Sequence, residues 1–191
     1  PDDVFTDAAR GAPELRGCAL RAVDQIWHHV STLVEVSVRA TFLEVYNDAI
    51  NDLAPPACEE GQSGAGRGGR DLRLREGPCG VYVEGLTGVD VRSPRHVYEL
   101  VAAGHRHRHV GGTHVNARSS RSHTILTIEL LQRPSADVEL ASKLVLVDLA
   151  GSERAAASDG LSPSRAEEGR KINLSLTTLG HCIHTLATAN R

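Results

Sequence analysis

Apolar positions recur along this chain with two distinct periods, and those periods divide it into elements. In PELRGCALRAVDQIWHHV, opened by Pro13-Glu14, residues Leu15, Ala19, Val23, Ile26 and Val30 share one helical face. The next segment, VEVSVRATF, alternates instead, so Val34, Val36, Val38, Ala40 and Phe42 fall on one side of an extended strand. Asn51 to Pro56 closes that unit, and the Gly- and Pro-rich stretch 55–70 reads as a flexible surface loop. Short strand patterns follow in DLRLRE, GVYVEGL and VDV. Ser93-Pro94 starts a second helix, because Ser caps a helix N-terminus and Pro suits the first helical position. This helix turns Val97, Leu100 and Val101 inward and runs towards His109. The polar stretch THVNARSSRSH leads into the strand pattern TILTIELL. KLVLVDLA is apolar almost throughout, the pattern of a central strand buried on both faces. After a polar loop from Ala155 to about Pro163, residues Ile172, Leu176, Leu179, Ile183 and Leu186 form one stripe on a last helix. Strands alternating with helices predict an α/β fold.

Composition narrows the class. At 191 residues the chain is one domain or part of a larger one, and 40% apolar with 24% charged residues is ordinary for a globular protein. A net charge of −3 supplies no global basic field for nucleic acid. No apolar run approaches the roughly 18 residues that cross a bilayer, so no membrane partner is expected. The acidic start, PDDVFTDAAR, lacks the layout of a secretory signal. Cys18, Cys58, Cys79 and Cys182 form no CxxC pair and read as reduced, structural thiols of a cytosolic protein. There is no Met, and the first residue is Pro, which suggests a piece of a longer chain.

Phosphate chemistry is hinted at twice. GQSGAGRG places Gly61 and Gly66 at the spacing of a phosphate-cradling G-x-x-x-x-G-K-[ST] loop, but Arg67 stands at the Lys position and Gly68 at the hydroxyl position. It also precedes a strand pattern where such a loop opens a helix, so it reads as plain loop. The second hint is stronger. Asp148 ends the apolar strand LVLVD, and ligands of open α/β sheets bind just beyond strand ends. Asp148 there suits a Mg²⁺ ion, and Gly151 can bring its backbone N–H close to a phosphate. Alone, an Asp after a strand is commonplace. His105-Arg106-His107-Arg108-His109 resembles a metal tract, but its Arg residues repel a cation and no carboxylate or Cys completes a site, so it reads as structural or solvated. His123 reads as a hydrogen-bonding group and Trp27 as packing.

Three segments taken together carry the function. NARSSRSH (116–123), DLAGSE (148–153) and INLSLTTL (172–179), in this order and spacing, resemble the kinesin motor domain. Kinesin switch I, N-x-x-S-S-R-S-H, is matched by Asn116, Ser119, Ser120, Arg121, Ser122 and His123. Switch II, D-L-A-G-S-E, is matched by Asp148 to Glu153. The helix signature I-N-x-S-L-x-x-L is matched by Ile172, Asn173, Ser175, Leu176 and Leu179. FLEVYNDAINDLA and GVYVEGLTGVDVRSP are similar to kinesin sheet segments, so the resemblance covers nearly the whole chain.

The resemblance implies a P-loop NTPase-type fold, a central β-sheet with helices on both faces. It implies a microtubule motor that couples ATP binding and hydrolysis to movement, with ATP and Mg²⁺ as ligands, tubulin as partner and a cytoplasmic, cytoskeletal location. Ser120 and Asp148 would hold the Mg²⁺, Ser119 would place the attacking water, Asn116 would belong to the nucleotide site, and Gly151 would sense the γ-phosphate. Arg121 and Glu153 would close the two switches through a charge-assisted fork. Arg154, Arg165, Arg170 and Lys171 would face the acidic tubulin surface, although Leu174 stands where many kinesins have Lys. A homodimer would form through segments outside this chain. Residues 1–191 would be a partial motor domain without the P-loop or the C-terminal portion, inactive alone and prone to aggregate through open strand edges. Two alternatives are a degenerate microtubule-binding module without ATP turnover and a zinc-dependent domain built on HRHRH.

Overall fold

A computed structural model of the chain describes residues 17–33, 35–54, 72–78, 80–110, 120–135, 137–152 and 163–189. Three helices and seven strands lie within them: α1 (Cys18–Val30), β1 (Val36–Tyr46), β2 (Ala49–Asp52), β3 (Arg73–Gly77), β4 (Gly80–Glu84), β5 (Val89–Asp90), α2 (Pro94–Val110), β6 (His123–Ser135), β7 (Val138–Asp148) and α3 (Pro163–Ala189). The main sheet runs β2-β1-β6-β7, with β5 also on β1, and every pairing is antiparallel. β3 and β4 form a separate hairpin.

Period-2 alternation builds the core. Val38, Ala40 and Phe42 of β1 and Leu126 and Ile128 of β6 project to one face and are buried there. Val97, Leu100 and Val101 of α2 and Val23 of α1 close over them. Gly104 lets α2 approach the sheet, since a Cβ at that position would lie 2.5 Å from the Phe42 ring and 3.1 Å from Leu53. Tyr98 of α2 donates a hydrogen bond to Asp24 and ties the two helices together. α3 meets the opposite face through His123, whose side chain points away from that of its neighbour Thr124 by the alternation of the pleat. α1 and α2 therefore cover one face of the sheet and α3 lies at the His123 end of the other, in keeping with the α/β class expected.

Four expectations change. α1 begins at Cys18, because Gly17 takes an extended conformation (φ −59°, ψ 157°) and ends the helix there; Pro13 lies outside the described residues. Its buried face includes Leu20, which the sequence stripe omitted, and Trp27 packs against the core as expected. The β1 unit ends at Asp52, within the stretch expected, but as two strands: it turns at Asn47-Asp48, both left-handed (φ 54° and 67°), into β2 as a tight hairpin. β7 is not a central buried strand. Among the described residues only β6 pairs with it, and Val145 and Val147 remain 45% and 51% exposed. Its apolar sequence marks a strand made to be covered, and the described elements cover only Leu144 and Leu146 in part. The α3 stripe behaves likewise, with Ile183 and Leu186 exposed.

Candidate functional site

The register of the sheet assembles the site. Thr124 pairs opposite Asp148, so the start of β6 and the end of β7 lie at the same end. The chain leaving β7 then turns towards the residues preceding β6. The Gly151 N–H donates to the Ser120 carbonyl at 2.9 Å, and the Ala150 N–H donates to Nδ1 of His123 at 3.0 Å. Ser120 and Asp148 are both exposed at this end. A hydroxyl and a carboxylate are hard oxygen donors, so the residues present fit a Mg²⁺ ion.

His123 is held on both ring nitrogens, Nδ1 by Ala150 and Nε2 by Ser175 Oγ at 2.9 Å. Burial lowers its pKa below the usual histidine value, while the Asp148 carboxylate pulls the other way. The first cause prevails, and the neutral ring is favoured.

Behind this end lies a buried charge cluster that pattern reading missed. Arg108 of α2 and Glu44 of β1 are each at least 97% buried and meet at 3.1 Å, Nε to Oε1. Ser122 completes the cluster: its hydroxyl donates to Glu44 at 2.7 Å and accepts from Arg108 Nη2 at 2.7 Å. Arg108 also donates to the Ser122 carbonyl at 3.2 Å. With every partner engaged, the fork anchors the base of the 120–123 segment to β1 and α2. The available signal was spacing: Arg108 lies four residues beyond the tightly packed Gly104 and so close to that buried face of α2, and Glu44 lies two beyond Phe42 on that of β1. Of the HRHRH tract, His105 packs edge-on against Phe42 (5.8 Å between centroids) and Arg108 is this buried anchor.

The remaining candidates divide. Arg121 pairs with Glu168 of α3, Nη1 to Oε2, at 3.0 Å. Lys171 lies 3.3 Å from Asp48 at the β1–β2 turn, and Arg170 is exposed on the same helix. Asn116, Ser119, Glu153 and Arg154, the side chain of Arg165 and the loop 55–70 lie outside the described residues. Cys18 and Cys182 are free and exposed rather than packed, and Cys58 and Cys79 also lie outside. A cavity of about 360 Å³ reaches Asp148 from between α1, α2 and the sheet. Leu20, Val23, Phe42, Leu126 and Leu146 form most of its wall, with His105 and Thr124 among the few polar groups, so it is a mainly apolar space with little to hold a phosphate. Among the described residues no helix is long and apolar enough to cross a membrane.

Comparison with known proteins gives one consistent result. A family model of the kinesin motor domain matches residues 6–191. The chloroplastic kinesin-like protein KIN-7D of Oryza sativa subsp. japonica is 43% identical over 157 residues, covering 80% of this chain and 14% of the relative. Kinesin-related protein 5 of Dictyostelium discoideum is 39% identical over 158 residues, covering 82% of this chain and 15% of its own length. The solved structure of a fast kinesin superposes with a TM-score of 0.73 at 35% identity, covering 92% of this chain and 48% of that one. A KIF14 dimer in complex with a microtubule and AMP-PNP gives 0.70 at 34% identity, covering 87% of this chain and 47% of its own. The chain thus spans about a seventh of those curated relatives.

Proposed function

The chain belongs to the kinesin motor family, and from that membership we propose that it is part of a microtubule-based motor that hydrolyses ATP. The observation that carries the proposal is the convergence of Ser120, Asp148 and Gly151 at one end of the sheet, with the Gly151 N–H on the Ser120 carbonyl. In a phosphate-responsive pair of loops, each loop must be able to register the other's position. That backbone bond is such a link.

Ser120 and Asp148 would hold a Mg²⁺ ion, which would supply charge neutralisation at the phosphates. Ser119 orients the attacking water, and Asn116 belongs to the nucleotide pocket. The Gly151 N–H answers to the γ-phosphate, exchanging its Ser120 carbonyl for a phosphate oxygen. Arg121 serves the closure of the two loops, with Glu153 as its partner in the closed state and Glu168 as the partner it has here. α3 carries the change to the microtubule. Arg165, Arg170 and Lys171 of α3, with Arg154 ahead of it in the sequence, supply the basic groups for tubulin, and the half-exposed Lys171–Asp48 pair is weak enough to yield to an acidic partner. A homodimer and a cytoskeletal location follow from the same reading.

G-x-x-x-x-G-K-[ST] does not occur in these 191 residues, so turnover relies on a phosphate cradle elsewhere in the protein, and the 191 residues alone do not hydrolyse ATP. The test is ATP turnover by the whole protein with and without microtubules. Microtubules are expected to stimulate it, and Asp148→Asn to reduce kcat on the order of a hundredfold. Unstimulated wild-type turnover, or an Asp148→Asn protein with unchanged kcat, refutes the proposal.

A further inference from the structure

We propose that His123 is a positioning residue that fixes the Ala150–Gly151 backbone to α3 through Ser175. The hydrogen bonds leave each group one role. Ala150 donates its N–H to Nδ1 at 3.0 Å, so Nδ1 carries no proton and the ring proton sits on Nε2. The Nε2–H therefore donates to Ser175 Oγ at 2.9 Å, and the Ser175 hydroxyl donates in turn to the Ile172 carbonyl at 2.7 Å. Three donors point the same way along one chain that runs from the loop after β7, through the first residue of β6, into α3. Bonds in series polarise one another, and the ring can neither flip nor change tautomer without breaking at least one.

The neighbouring bond makes this bear on chemistry. Gly151, the next residue, donates to the Ser120 carbonyl, three residues before His123. Two consecutive N–H groups of the loop are thus held by the 120–123 segment, one by backbone and one by the His123 ring. The ring reaches onward to α3. A shift of α3 moves Ser175, then the ring, then the backbone that aims the Gly151 N–H, and the same coupling runs in reverse. Other ties reach the same region: Arg121 to Glu168 joins the segment to α3, and Arg108, Glu44 and Ser122 hold its base. The ring is the tie that reaches the Ala150 amide. A protonated ring would present an N–H to the Ala150 N–H, and burial works against that state.

The inference rests on the nucleotide-hydrolysis reading for its kinetic consequence only, and two measurements separate them. The first is long-range ¹H–¹⁵N spectroscopy of the whole protein with labelled histidine. The resonances removed by His123→Gln are expected to show a single tautomer with a bare Nδ1 and a protonated Nε2, perturbed by Ser175→Ala. A proton on Nδ1, or averaging between tautomers, overturns the proposal whether or not the protein hydrolyses ATP. The second is a double-mutant cycle on microtubule-stimulated turnover. His123→Ala and Ser175→Ala are each expected to lower kcat roughly tenfold with KM for ATP within about twofold, and the double variant no further, because both cut one chain. Ser175→Thr, which keeps the hydroxyl, is expected to restore most of the rate. Multiplying losses, or a Ser175→Thr protein as slow as Ser175→Ala, overturns the positioning role. If His123→Ala does not fold, the Ser175 variants and the wild-type spectrum still decide. A wild type that turns over no ATP removes the nucleotide reading and leaves the spectrum to settle the tether.

Discussion

Arg108 is the residue whose surroundings least resemble its sequence. It sits in a run of His and Arg that looks solvated, yet it is buried against Glu44 and Ser122. Removing one member of a buried pair strands the other's charge, at a cost of about 3–5 kcal/mol. Arg108→Met is therefore expected to destabilise the protein by that amount in a denaturation experiment. Arg108→Met with Glu44→Leu should cost clearly less than the two single changes added together. A single-variant loss below about 1 kcal/mol would show the pair to be solvated. Spacing puts Glu44 on the buried face of β1 and Arg108 on that of α2, but that the two meet, 64 residues apart, depends on the fold. His123 was legible as a hydrogen-bonding group. Both of its partners depend on the fold, and neither could be read from the sequence.

Period is most informative for single elements. Val38, Ala40 and Phe42 declared their strand because one buried face imposes alternation, and Val97, Leu100 and Val101 declared α2 for the equivalent helical reason. The Asn47-Asp48 hairpin was missed although both residues tolerate left-handed backbone, since Ala49 to Asp52 continues too briefly to register as a strand. β7 was misplaced because an apolar run reports a strand's need for cover and not its place in the sheet order. Gly104 measures how closely α2 lies on the sheet. Gly104→Ala pushes a methyl into the Phe42 ring and is expected to destabilise by about 1–3 kcal/mol by thermal or chemical denaturation, despite the better helix propensity of Ala. Gly104→Ala with Phe42→Leu, which makes room, should recover part of that loss. A stabilised Gly104→Ala protein would contradict the close packing.

At the scale of the whole chain, the three linked motifs made the family legible, and the structure added which of their residues meet. Among the described residues Val138, Leu140, Val145 and Val147 on β7 and Leu179, Ile183 and Leu186 on α3 are exposed, apolar groups of the kind that drive association when left uncovered. The 191 residues expressed alone are therefore expected to bind a hydrophobic dye and to elute as aggregates on size exclusion. A monodisperse, dye-silent product with sharp, dispersed amide signals would show that the chain covers these faces itself. The sheet register has a separate consequence in time. β1 pairs with β6 along its length, from Val36 with Gln132 to Val45 with His123, so the central ladder joins strands roughly eighty or more residues apart. During translation at about 5–20 residues per second, β1 emerges several seconds before its main partner exists. For that interval β1 has only its other edge paired, by β2 and then by β5, while the edge that will take β6 stays open, and a chaperone has a defined window in which to hold it.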